Sequence, residues 1–230
     1  MRIENRPRAL IFDLDGTLAN TLPQLAKAAC AACAACGIAA PSFDEARSYV
    51  GNGVWMLLER CVLGRRDIVQ GTADKALLQR MRQAFNQAYL EGLSRDYEVY
   101  PGVKEGLEEF RKAGIRLGVC TNKPQMFAVP LLGHMGLAPL FDFILGGEVL
   151  PRRKPDPAPV LYVCGRLGAW PSEAVMVGDS ENDVLGGQNA GMASAFLTYG
   201  YYVGDPRAIS PDVSFDAFPD FASFIMSLPA

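Results

Sequence analysis

The feature that most constrains this chain is the stretch Arg8-Ala9-Leu10-Ile11-Phe12-Asp13-Leu14-Asp15-Gly16-Thr17. Ala9 to Phe12 is a continuous apolar run, the pattern of a strand buried on both faces. It runs straight into two carboxylates, and Gly16-Thr17 breaks the extended stretch. Asp13 and Asp15 stand two residues apart, so while the backbone stays extended both project to the same side. Packing asks for nothing of the kind: two like charges at a strand end repel, and must be solvated or share a cation. A polar turn closing a strand of an α/β fold would account for one such stretch. Three more polar stretches follow, each beside another apolar run.

From Val99 onward apolar runs of strand length alternate with helical periodicity. Helix Val103–Ala113 closes at Gly114. Strand Ile115–Cys120 then ends in Thr121-Asn122-Lys123-Pro124, and helix Gln125–Met135 follows. Phe141–Leu145 is closed by Gly146-Gly147, and Pro151-Arg152-Arg153-Lys154-Pro155-Asp156-Pro157 leads into a helix through Leu167. Strand Ala174–Val177 ends in Gly178-Asp179-Ser180-Glu181-Asn182-Asp183; a helix to about Gly191 and a strand Ala193–Leu197 complete the series. Tyr199–Ala230 reads as a loop, a short strand near Val213 and a terminal helix. This alternation predicts an α/β fold with a doubly wound parallel sheet, to which the opening strand belongs.

Leu18 to Leu93 contains no convincing strand. Helices are predicted from a Thr21 cap to about Ala35, from Ser42 to about Tyr49, over Val54–Leu63 and over Thr72–Leu93. A block of this length, roughly 75 residues, is too long for a connecting loop. The expected organisation is an α/β core of residues 1–17 and 97–230 with an all-helical domain of residues 18–96 inserted after the first strand.

Composition narrows the function. Net charge is −3 with both signs interspersed, so no basic nucleic-acid surface is indicated and an anionic substrate needs locally placed cations. No apolar run approaches 18 residues, and Met1–Arg6 lacks the apolar core of a signal peptide, so the chain reads as cytosolic with no membrane partner. Cys30, Cys33 and Cys36 fall at helical spacing in an Ala-rich segment. They read as small apolar residues of a packed helix, since the run lacks the fourth Cys and following Pro of a ferredoxin ligand set. His134 is the single histidine, which argues against histidine triads and multi-histidine zinc sites.

Open parallel sheets bind ligands at the carboxyl ends of their strands. Asp13/Asp15, Thr121-Asn122 and Asp179/Asp183 occupy three such ends, with Lys154 opening the helix between the last two sets. Four acids in one pocket stay ionised only around a hard cation, and oxygen ligands without His or Cys suit Mg²⁺. A metal, a lysine, a hydroxyl and backbone N–H groups are what a transferring phosphoryl group needs around its oxygens. A carboxylate can itself attack phosphorus.

On Asp13-Leu14-Asp15-Gly16-Thr17-Leu18, Thr121-Asn122-Lys123-Pro124, Arg153-Lys154-Pro155-Asp156-Pro157 and Gly178–Asp183, in that order, the chain resembles the haloacid dehalogenase superfamily. Within it the chain is most similar to the bacterial phosphoglycolate phosphatases. Val50-Gly51-Asn52-Gly53, Tyr100-Pro101-Gly102-Val103 and Leu197-Thr198-Tyr199-Gly200-Tyr201 add weaker cues. The resemblance implies Asp13 as nucleophile and Asp15 as general acid, then base. It implies Thr121, Asn122 and Lys154 around the phosphoryl oxygens, with Lys154 also restraining Asp13. Mg²⁺ would be held by Asp13, the Asp15 backbone carbonyl and Asp179, with Asp183 in the outer shell and Ser180 ordering that loop. The helical insert resembles the family's cap, which closes over the site and selects the leaving group, with Gly51, Asn52 and Gly53 taking part.

The implied substrate is a small phosphorylated metabolite, 2-phosphoglycolate foremost, for a monomer or homodimer. Another sugar or metabolite phosphatase, a phosphomutase and a non-enzymatic binder are the alternatives. Dehalogenation is disfavoured, because Asp15 supplies the second acid that dehalogenases lack. Asn20-Thr21 stands where the family commonly has an acid and Ser, and Glu181 where a basic residue is frequent.

Overall fold

In the computed structural model, which describes residues 3–205 and 208–230, the chain divides into two compact units. One takes in the chain up to Asn20 and from Val99 onward; the other is Thr21–Glu98. Met1 and Arg2 of the opening segment, and residues 206 and 207 of the loop expected after Tyr199, lie outside the described residues.

The first unit is built on β1 (Ala9–Phe12), β4 (Arg116–Pro124), β5 (Phe143–Gly147), β6 (Ala174–Gly178), β7 (Ala193–Leu197) and β8 (Val213–Phe215). They form one sheet in the order β5-β4-β1-β6-β7-β8, and every neighbouring pair is parallel. The chain therefore winds outward from β1 in one direction, then crosses back and winds out in the other. That reversal leaves a crevice at the carboxyl ends of β1 and its two neighbours. Two-residue strands β2 (Ala19–Asn20) and β3 (Glu98–Val99) pair as a separate ribbon.

β1 is buried on both sides, as an uninterrupted apolar run requires. Ala9 and Ile11 pack with Val160 and Val163 of α7 (Pro157–Arg166) and with Met176 of β6. The Phe12 ring meets Phe110 of α5 (Val103–Lys112) and Phe218 and Phe221 of α9 (Phe218–Ser227), all with centroids 6.1–6.5 Å apart. α8 (Glu181–Asn189) follows β6, and α6 (Gln125–His134) follows β4. His134 ends α6 on the surface.

β4 departs from expectation: it runs on past Cys120 and pairs again at Pro124↔Gly147 after an irregularity in register. Thr121, Asn122 and Lys123 are all buried, so this polar stretch is satisfied by partners within the fold rather than by solvent. β5 begins two residues later than read, because Ala138–Leu140 forms a 3₁₀ turn ahead of Phe141.

The second unit contains α1 (Leu22–Ala35), α2 (Phe43–Tyr49), α3 (Val54–Leu63) and α4 (Lys75–Glu91). Thr21 stands at the N-cap of α1 but its side chain makes no capping bond, whereas Ser42 and Glu45 form a full capping box on α2. α4 starts at Lys75 rather than Thr72 because the Asp74 carboxylate accepts from Leu77 N–H at 2.7 Å. Two polar side chains are buried here. Gln24 donates to the carbonyls of Gly92, Leu93 and Arg95 beyond α4, and Glu59 accepts from Gly71, Thr72 and Ala73 N–H. Cys33 is buried on α1, and the cysteines are free thiols. Among the described residues no helix is long and apolar enough to cross a membrane.

Candidate active site

The carboxyl ends of β1, β4 and β6 bring Asp13, Asp15, Thr121, Asn122, Lys154, Asp179 and Asp183 into one region of the first unit. β1 lies between the other two strands with Phe12 opposite Val119 and Val177, so the residues that follow each strand end at the same level. Asp13 extends β1 by one further bond, its N–H donating to Val177 O at 2.9 Å. The chain then turns sharply: Leu14 O accepts from Thr17, Leu18 and Ala19 N–H.

Lys154 is the cation of the site. Its side chain is 1% exposed, and Nζ lies 3.0 Å from Asp13 Oδ1 and 2.6 Å from Asp183 Oδ1. Burial works against its charge, but Asp13 and Asp183 outweigh that and hold its pKa above the ordinary lysine value. The loop carrying Lys154 is pinned by the Asn122 amide, which accepts from Lys154 N–H at 3.0 Å and donates to Lys154 O at 3.1 Å. Asn122 thus acts on the site through Lys154. Thr121 Oγ1 accepts from Lys123 N–H at 3.2 Å. Ser180 donates from Oγ and from N–H to Asp183 Oδ2, at 2.6 and 3.0 Å, which fixes that carboxylate against Lys154.

Asp179 is held by groups that arrive from two other strands. Thr17 Oγ1 donates to Oδ1 at 2.6 Å, and Tyr201 N–H donates to Oδ2 at 2.7 Å. The approach is close enough to require glycine: a Cβ on Gly16 or on Gly200 would stand 2.2 Å from Asp179 Oδ2. Gly16 also sits at φ +86°, where glycine is free of strain. Tyr199 O–H donates to Thr17 O at 2.8 Å and its ring lies 4.4 Å from that of Tyr100. Burial, reinforced by Asp179, raises the Tyr199 phenol pKa, so it stays protonated and able to donate. Tyr201 O–H donates to Asn20 Oδ1 at 3.0 Å, which gives the unusual Asn20 a definite partner.

The carboxylates are electrostatically unfavourable by themselves. Burial, offset in part by Lys154, pushes Asp13 up to about 6. Burial, then Asp183 and Asp13, raises Asp179 well above the usual range. One oxygen from each of Asp13, Asp179 and Asp183 lies within 4.8 Å of the others. Asp13 Oδ1 is buried and ion-paired with Lys154. Three carboxylates gathered in burial, an all-oxygen set with no nitrogen or sulfur ligand, fit a hard divalent cation such as Mg²⁺.

The Asp15 carboxylate is not one of these three. Both of its oxygens meet Lys123 Nζ, at 2.8 and 3.0 Å, so its carboxylate belongs to that pair. Gly51, Asn52 and Gly53 lie in the helical unit between α2 and α3, with Gly51 and Gly53 at positive φ and Gly53 at the N-cap of α3. Glu181 is exposed on the first turn of α8. Lys123, Tyr199, Gly200 and Tyr201 carry no assigned role in the sequence reading. The signal available for the last three was a Tyr-Gly-Tyr sequence one residue after a strand, and for Lys123 a cation three residues beyond Cys120.

Comparisons with known proteins identify the family. Residues 10–197 match the family described as haloacid dehalogenase-like hydrolase. The phosphoglycolate phosphatase of Psychrobacter arcticus is 41% identical over 218 residues, covering 94% of this chain and 95% of that protein. That of Thiobacillus denitrificans is 40% identical over 199 residues, 86% of each chain. The crystal structure of a predicted phosphoglycolate phosphatase from Haemophilus somnus 129PT superposes with a TM-score of 0.88 at 36% identity, covering 95% of this chain and 98% of that one.

Proposed function

The chain belongs to the haloacid dehalogenase-like hydrolases, and from that premise we propose that it hydrolyses 2-phosphoglycolate with Mg²⁺, through a phosphoryl group carried on Asp13. It is a phosphoric monoester hydrolase. The observation that carries the mechanism is Asp13 itself: a buried carboxylate at a strand end with a buried lysine 3.0 Å away.

A carboxylate oxygen of Asp13 attacks phosphorus as the bond from phosphorus to the leaving oxygen breaks. Asp15 gives its proton to that oxygen, which departs as the alcohol. Asp15 then takes a proton from the water that attacks the aspartyl-phosphate, releasing inorganic phosphate and restoring Asp13. Lys154 and Thr121 receive the phosphoryl oxygens, and Asn122 keeps Lys154 in place. Asp13, Asp179 and the Asp15 carbonyl would hold Mg²⁺, with Asp183 behind them. Bound there, Mg²⁺ supplies positive charge to the phosphoryl oxygens. The helical unit is assigned the choice of leaving group, with Gly51, Asn52 and Gly53 contributing, in a cytosolic monomer or homodimer.

Two measurements test this reading. Phosphate release is measured with Mg²⁺ over a panel of 2-phosphoglycolate, hexose and pentose phosphates and nucleotides. A kcat/KM for phosphoglycolate about tenfold or more above every rival, about 1.4 kcal/mol, is expected. A different preferred ester keeps the chemistry and moves the substrate, and no release from any ester ends the reading. The second measurement is thermal unfolding. At about 100 times its Kd, Mg²⁺ should stabilise the protein by about 2.7 kcal/mol and raise Tm by about 5–10 °C. Asp179→Asn should raise the metal-free Tm, because it removes a charge that burial disfavours, and should abolish the Mg²⁺ response. An unchanged Mg²⁺ response in that variant would place the cation elsewhere.

A further inference from the structure

Lys123 has no part in the chemistry above, yet its side chain is only 1% exposed. Its ammonium is committed to both oxygens of Asp15, at 2.8 and 3.0 Å. A buried ion pair is weak support for folding by comparison with apolar packing of the same volume, so stability alone gives little reason for it. What a two-oxygen contact does supply is orientation. Asp15 stands in a turn, followed by Gly16 at φ +86°, and its one ladder contact, the isolated bridge to Ala19, holds backbone only. Lys123 is anchored differently: it lies within β4, and its N–H is tied to Thr121 Oγ1 at 3.2 Å. The lysine therefore transmits the placement of the Thr121 strand end to the carboxyl group on the neighbouring strand end.

Resting on the phosphatase reading, we propose that Lys123 is a positioning residue whose buried ammonium holds the Asp15 carboxyl in the one orientation from which it reaches the leaving oxygen and the attacking water. Proton transfer requires heavy atoms within about 2.6–3.2 Å. A misplacement of about 1 Å costs about 10²-fold in rate. Lys123 acts through Asp15.

The test is a double-mutant cycle of Lys123→Met and Asp15→Asn. Both steady-state constants are measured on the alkyl phosphomonoester the wild type prefers, and on para-nitrophenyl phosphate, whose leaving group departs without a proton. Lys123→Met should lower kcat on the alkyl ester by about 10²-fold with KM nearly unchanged, and should slow the first-turnover release of nitrophenolate far less. In the Asp15→Asn background Lys123→Met should add no further loss, since the group it orients is already gone. Lys123→Gln serves as the second variant if the Met side chain does not pack. The same fold-loss appearing in both backgrounds, an unchanged kcat, or a raised KM at constant kcat would each overturn the positioning role. So would failure of both variants to fold, which would make Lys123 a folding residue. Absence of phosphate release by the wild type overturns the phosphatase reading itself, whereas additive losses overturn only the role of Lys123.

Discussion

Asp13→Asn is expected to lower kcat by about 10⁴-fold or more while leaving the fold intact. An amide cannot displace an alkoxide from phosphorus, and among the described residues no other carboxylate of the site is placed to substitute. Asp15 is bound on both oxygens by Lys123, Asp179 is held by Thr17 and Tyr201, and Asp183 is held by Lys154 and Ser180. Folding should survive because Asp13 is buried with its pKa already raised to about 6, so a neutral side chain of the same shape relieves repulsion from Asp183 and Asp15. Phosphate release reads the first expectation and thermal unfolding the second. Rapid quench with mass spectrometry should find a phosphoryl adduct on the wild-type peptide that contains Asp13 and none on the variant. Normal turnover in Asp13→Asn would remove the covalent mechanism.

Lys154→Met has the second large effect, and it strikes both activity and stability. Removing one partner of a buried ion pair typically costs about 3–5 kcal/mol, because the remaining charge is stranded. No solvent screening softens this, since the Lys154 and Asp183 side chains are each 1% exposed. A chain of this size should lose roughly 6–20 °C in Tm, and turnover should vanish with the cation proposed to receive the phosphoryl oxygens.

The penalty has a defined pH dependence. With Lys154 gone, the pKa of Asp13 rises further above its value of about 6. A group whose folded pKa is raised contributes stability at low pH that is lost as pH climbs through that value. The gap between variant and wild type should therefore widen above about pH 6 and narrow below it. Unfolding midpoints from pH 5 to pH 8 measure this, and a gap that stays constant would show that Asp13 is not the stranded charge.

Much of this architecture is readable along the chain, and the reason is local. The apolar run Ala9–Phe12 must be buried on both faces, and alternation with helical segments leaves few ways to arrange such strands other than in parallel. Val54–Leu63 and Ala193–Leu197 have the bounds that their periodicity and flanking glycines imply. The motif carboxylates are readable for the same reason, because each closes an apolar run. Less readable is where an element stops when its polar residues find partners inside the fold. β4 continues through Thr121, Asn122 and Lys123 because Asn122 meets the backbone of Lys154 and Lys123 meets Asp15. Both partners come from elsewhere in the chain, so no local rule shows them.

The sequence by itself therefore determined the fold class, the strand that carries the proposed nucleophile, and the acids and lysine available for chemistry. Periodicity and turn residues act over a few neighbouring positions, and those properties need nothing more. Only the tertiary structure decided how these groups are paired. Winding outward from β1 in two directions sets the ends of β4 and β6 beside it, and burial there removes the water that would otherwise satisfy each charge. Each buried charge then takes whichever opposite charge or donor the topology delivers: Lys154 for Asp13, Lys123 for Asp15, and Thr17 with the Tyr201 backbone for Asp179.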